Sequence, residues 1–127
     1  MPFLSQDSQG DIFQVVVVFM TCPDRATARE IAKKLVNAKL AACANILTGV
    51  ESLFRWRGAI EEAEEAFLIA KTRGELLDEL IEAVEELHPY ELPEVIALPV
   101  VGGLSRYLAW VRAETKRPKG SGGAAGI

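Results

Sequence analysis

The hydrophobic pattern of this chain changes period in a fixed order, and that order constrains the fold more than any other feature. Residues 12–20 contain Val15-Val16-Val17-Val18-Phe19, a continuous β-branched run that suits a strand buried on both faces. Asp24 follows as a helix N-cap, its carboxylate placed to accept orphan backbone N–H groups. Ala28, Ile31, Ala32, Leu35 and Val36 then recur at helical spacing, with Arg29, Glu30, Lys33 and Lys34 facing outward. Residues 41–56 return to a strand pattern. Ile46, Val50, Phe54 and Trp56 share one parity, and Gly49 marks a bulge or bend. Arg57-Gly58 reads as a turn. Residues 59–72 are locally ambiguous: Glu61-Glu62-Ala63-Glu64-Glu65-Ala66 favours helix, whereas Phe67-Leu68-Ile69-Ala70 favours strand. A strand paired with its predecessor in a long hairpin is the reading adopted. Thr72-Arg73-Gly74-Glu75 fits a capping box, and Leu76, Leu77, Leu80, Ile81, Val84 and Leu87 trace an amphipathic stripe behind it. Pro89 ends that helix at His88. Residues 95–101 form the next strand, Gly102-Gly103 a turn, and Leu104, Tyr107, Leu108 and Val111 a short closing helix.

The order is therefore strand, helix, strand, strand, helix, strand, with a further helix. This is the split βαβ, or ferredoxin-like, plan, an α+β sandwich whose antiparallel sheet carries its helices on one face. Residues 12–116 form the domain, residues 1–11 a loose arm and residues 117–127 a Gly/Ala-rich tail expected to be disordered. Apolar residues of both parities in the strands imply that the second sheet face is also covered.

At 127 residues the chain suffices for one domain with a proper core. Its formal charge of −4 argues against nucleic acid as a partner, and the basic group Lys116, Arg117 and Lys119 is too short to reverse that. The cysteines, Cys22 and Cys43, make no disulfide framework and suggest a reducing compartment. No signal peptide is expected, and the run Val15 to Met20 is far too short to span a membrane. The expected location is cytoplasmic.

His88-Pro89-Tyr90-Glu91-Leu92-Pro93-Glu94 concentrates the chemistry, because it holds the chain's only histidine between a helix stop and a strand. Together with Thr21-Cys22-Pro23-Asp24, Leu40-Ala41-Ala42-Cys43-Ala44-Asn45-Ile46, Ser52-Leu53-Phe54-Arg55-Trp56-Arg57-Gly58, Lys71-Thr72 and Tyr107-Leu108-Ala109-Trp110, it resembles the CutA family of divalent-cation tolerance proteins. The stretches run in family order over most of the foldable chain. Phe54 stands where many members carry tyrosine, so no role resting on a hydroxyl there carries over. The resemblance implies a ferredoxin-like subunit, a homotrimer, and a link to copper and other divalent cations, with no cofactor required. It also implies a strand at 59–72.

The resemblance nominates Cys43, His88 and Glu91 as metal ligands, and Trp56, Lys71, Tyr90 and Trp110 as the lining of a ligand cleft. Thiolate and imidazole suit copper or zinc, with a carboxylate as a harder third ligand. In the ferredoxin-like strand order, fourth-first-third-second, Cys43 and His88 belong to opposite edges of one subunit. They meet only where the second strand of one subunit approaches the fourth strand of another. The long hairpin leaves an exposed ladder that edge pairing around a ring would satisfy.

Plainer readings stand beside these. Cys43 suits burial as a small hydrophobe, and Trp56, Phe54 and Trp110 suit packing. Tyr90 and Glu91 suit a turn after the helix stop. Cys22 precedes a proline near a helix N-terminus, where a thiol pKa can fall. Lys71 is placed to meet an anionic ligand or Glu91. Glu61, Glu62, Glu64 and Glu65 read as a solvated arm rather than a metal cluster, since strand neighbours point to opposite faces. A signalling module like the trimeric PII proteins, taking a small anionic effector between subunits, is the alternative function. No motif of a known catalytic class is present, so no enzymatic activity is expected.

Overall fold

The computed structural model describes residues 15–118. The expected arm 1–11 and the tail beyond Pro118 lie outside the described residues. The elements run β1 (Val16–Cys22), α1 (Arg25–Asn37), β2 (Cys43–Trp56), β3 (Ala59–Thr72), a single 3₁₀ turn (Gly74–Leu76), α2 (Leu77–Leu87), β4 (Val95–Pro99) and α3 (Ser105–Ala113). The sheet order is β2-β3-β1-β4, and every neighbouring pair is antiparallel. This is the expected split βαβ plan, with β2 and β4 at opposite edges.

Local chemistry accounts for most element boundaries. Asp24 is extended, and its Oδ1 accepts the Thr27 N–H at 2.8 Å, which starts α1. Arg57 and Gly58 both have positive φ, 52° and 85°, as a two-residue hairpin turn of the right twist demands. Gly49, at φ 76°, takes up the register shift between Leu47 and Val50. The fourth strand ends at Pro99, short of the expected Val101; its last partner on β1 is Val16, and one further bond, from the Val100 N–H to the Val15 carbonyl at 3.0 Å, closes the ladder.

The capping box expected at Thr72 does not form. Thr72 is the last residue of β3, Arg73 precedes the 3₁₀ turn without a side-chain cap, and the Thr72 hydroxyl is buried with no hydrogen-bond partner. Pairing of Thr72 with Val16 turns its side chain into the core, away from the N–H groups it would have capped.

Strand parity decides what is covered. Val16, Val18, Met20 and Cys22 of β1 and Ala66, Leu68 and Ala70 of β3 are buried against Ala28, Ile31 and Leu35 of α1 and Leu80 and Val84 of α2. The other parity carries Val17, Phe19, Phe67 and Ile69, with Leu47, Ile96 and Leu98 in register on the flanking strands. The Phe19 and Phe67 rings sit 5.3 Å apart. In the single protomer this face is open: Leu47 is 50%, Ile96 54% and Leu98 45% exposed.

Thr72→Val should remove the orphaned hydroxyl while keeping the β-branched shape. The expected gain is about 1 kcal/mol, read as a higher denaturant midpoint with an unchanged slope. A lower midpoint would show that the hydroxyl is satisfied in solution.

Candidate functional site

The chain after α2 is fixed residue by residue. Proline at position 89 holds His88 in extended backbone, φ −80° and ψ 132°, so the helix stops there. The His88 ring is buried, with Nε2 2.7 Å from the Thr21 carbonyl oxygen and Nδ1 3.2 Å from the Tyr90 amide nitrogen. A carbonyl only accepts and an amide N–H only donates. Nε2 therefore bears the proton and Nδ1 offers its lone pair, leaving both nitrogens engaged.

Tyr90 leans on that ring at a centroid distance of 4.7 Å and donates its hydroxyl to Glu65 Oε2 at 2.5 Å. Burial, then the bond to Glu65, pushes the Tyr90 phenol pKa above its usual range. Glu65 is thus buried, not part of a solvated arm as its neighbours suggest; the other acids of that run, Glu61, Glu62 and Glu64, are exposed. Glu91 turns outward and pairs with Arg57 at 2.7 Å, with both side chains about two-thirds exposed (70% and 68%). Such a pair contributes little to stability. Its effect is to bring the hairpin tip to the segment after α2. Arg57 also lies over the Trp56 ring, 5.1 Å from its centroid.

A second group gathers at the far end of the sheet. Cys43 opens β2 opposite Lys71. Register with Val17 and Leu98 puts both on the open face. The half-buried Cys43 Sγ lies 3.5 Å from Tyr107 Oη, and the Tyr107 ring lies 5.5 Å from that of Trp110. Hydrogen bonding to Cys43, and then burial, raises the Tyr107 phenol pKa. Lys71 Nζ donates to Asn45 Oδ1. It does not pair with Glu91, because Glu91 sits at the other end of the sheet with Arg57.

The expected residues therefore separate. Cys43, Lys71 and Trp110 belong to one end, and Trp56, His88, Tyr90 and Glu91 to the other. From the Cys43–Lys71–Val17 row to Thr21 is four residues along β1, and from β2 to β1 is two strand spacings. The two groups are on the order of 15 Å apart, too far to share an ion. Among the described residues, no set of three or more His, Cys, Asp or Glu side chains converges to hold a metal ion within one protomer.

Sequence reasoning missed Glu65, Asn45 and Tyr107 as site residues. Tyr107 lies inside a stretch that carries the family resemblance, whereas Glu65 and Asn45 become visible only through cross-strand register. Cys22 has no lowered thiol pKa, in line with incidental placement beside the helix N-terminus. Burial first, with the nearby charges of Asp24 and Glu65, pushes that thiol up to about 11 rather than down.

Residues 16–114 match the family model described as CutA1 divalent ion tolerance protein. The chain belongs to this family. It is 46% identical over 99 residues to the divalent-cation tolerance protein CutA of Thermus thermophilus, covering 78% of this chain and 96% of that one. It is 45% identical over 101 residues to the chloroplastic CutA protein of Arabidopsis thaliana, covering 80% of this chain but 56% of that longer protein. Among solved structures, CutA from Xylella fastidiosa superimposes with a TM-score of 0.79 at 42% identity, covering 81% of this chain and 99% of that chain. CutA1 from Oryza sativa gives 0.79 at 43% identity, covering 81% and 94%. The CutA fold is thus the fold of this chain, and no helix among its described residues is long and apolar enough to cross a membrane.

Two measurements test this local chemistry. Brief alkylation at pH 8 should label Cys43 and leave Cys22 unmodified until the chain is unfolded, as read by mass spectrometry. The folded Cys22 thiol holds its proton to about pH 11, whereas an unfolded thiol loses it near 9.0. This group's share of stability is therefore constant below pH 9 and lost as pH rises toward 11. Cys22→Ala should lack that alkaline decline. Tyr90→Phe would leave the buried Glu65 carboxylate without its donor. The expected loss is about 2 kcal/mol, and an unchanged denaturant midpoint would show that water replaces the phenol.

Proposed function

We propose that this CutA protein acts in divalent-cation tolerance as a homotrimer that binds a copper-like cation between subunits. The single observation that carries the reading is the separation of candidate ligands onto the two edge strands. Cys43 opens β2, while His88 and Glu91 lie on the segment leading into β4. An edge-to-edge approach of β2 from one protomer to β4 of the next brings thiol, imidazole and carboxylate into one cleft. The open apolar face supports association, since Phe19, Phe67, Ile69, Ile96 and Leu98 would be covered by neighbouring copies.

The donor set suits copper or zinc. His88 would bind through Nδ1 by releasing the Tyr90 amide, its other nitrogen staying on the Thr21 carbonyl in the manner that orients ligating histidines. Glu91 would exchange an exposed arginine for the cation, a small loss. Two free thiols accord with a reducing compartment, and we place the protein in the cytoplasm. A second reading, a small anionic effector in the same cleft, is favoured by Lys71, which faces it with a neutral partner.

Sedimentation velocity should give a trimer, and calorimetry with copper(II) should show saturable binding. His88→Ala and Cys43→Ser should each weaken that binding by about tenfold or more. Equal binding by wild type and both variants would remove these residues from the site.

A further inference from the structure

Lys71 stands on the open face of the sheet with Cys43 and Val17 across from it and Ile69 beside it on β3. Its partner is the neutral amide of Asn45, and among the described residues no carboxylate pairs with it. An ammonium on an apolar face is tolerated while water reaches it. Once neighbouring copies cover that face, the ammonium needs an anionic partner that the described residues of its own protomer do not supply. The surrounding groups are donors with spare hydrogens. Asn45 accepts through Oδ1, so its NH₂ remains free. Cys43 and Tyr107 bring two hydrogens to a single Sγ···Oη contact, so one of them is left over.

We infer that Lys71, Asn45 and the Cys43–Tyr107 pair form a binding site for a small oxyanion, a carboxylate or a phosphate. The inference deepens the association reading above, which closes the face around the site. Val17 and Leu98, in the same row as Lys71, supply an apolar wall, and the Trp110 ring lies beside Tyr107, so an organic acid fits better than a bare inorganic ion. The charge is met by the ammonium and the orientation by the amide and the residual O–H or S–H.

The test is calorimetric titration of the full chain in chloride buffer at constant ionic strength, with inorganic phosphate in one arm and benzoate in the other. Saturable binding of benzoate, tighter than that of phosphate, is expected. Saturable binding of phosphate alone keeps the oxyanion site and overturns the apolar wall. Lys71→Gln should weaken binding by about tenfold or more, and Lys71→Arg should retain it. Asn45→Asp supplies a carboxylate in place. It should abolish oxyanion binding while the melting temperature holds or rises, which shows the fold intact. Absence of saturable binding of either probe, or binding by Lys71→Gln or Asn45→Asp as tight as that of the wild type, overturns the site. Sedimentation of the same samples reads the association separately. A trimer that binds neither anion loses the site and keeps the assembly, whereas a single protomer that binds through Lys71 keeps the site and loses the assembly.

Discussion

A pleated sheet has two sides, and α1 and α2 pack on only one of them. The parity of β1 and β3 sends Val16, Val18, Met20 and Leu68 into the helix layer and leaves Phe19, Phe67 and Ile69 on the other side, with Ile96 and Leu98 beside them. A contiguous apolar face of this kind favours association over exposure to water. The rest of the functional reading depends on this. The same face carries Cys43 and Lys71, and the two edges that would meet a neighbour carry the candidate ligands.

The segment from His88 to Glu91 shows how a short sequence is held by long-range contacts. Proline sets the backbone, the Thr21 carbonyl and the Tyr90 amide set the imidazole, Glu65 sets the tyrosine, and Arg57 from the hairpin tip meets the glutamate. Those contacts are graded. The part-buried Tyr90–Glu65 bond is a structural anchor, whereas the exposed Glu91–Arg57 pair yields readily to a competing charge. A ligand arriving at this segment would find one firmly held side and one adaptable side.

Elements whose signals are local were legible. Asp24 as a cap, Arg57-Gly58 as a turn, Gly49 as a bulge and Pro89 as a stop each act within a few residues, and the structure has all of them. Readings that depended on what lies across the sheet fared worse. Thr72-Arg73-Gly74-Glu75 has the letters of a capping box, yet pairing with Val16 turns the threonine inward. Glu65 reads as one more solvated acid until Tyr90 reaches it. Cys22 is a different case: its placement near a helix N-terminus proves incidental, since burial and two carboxylates raise its pKa.

By itself the sequence determined the order of the elements, the strand order that follows from it, the family, and the placement of Cys43 and His88 on opposite edges. Periodicity, caps and breakers encode those in neighbouring residues. Only the tertiary structure decided which side chains meet: Lys71 with Asn45, Cys43 with Tyr107, Tyr90 with Glu65, Glu91 with Arg57. Such pairings depend on register, twist and the bend of a long hairpin. A displacement of one residue in any of these moves a side chain to the opposite face.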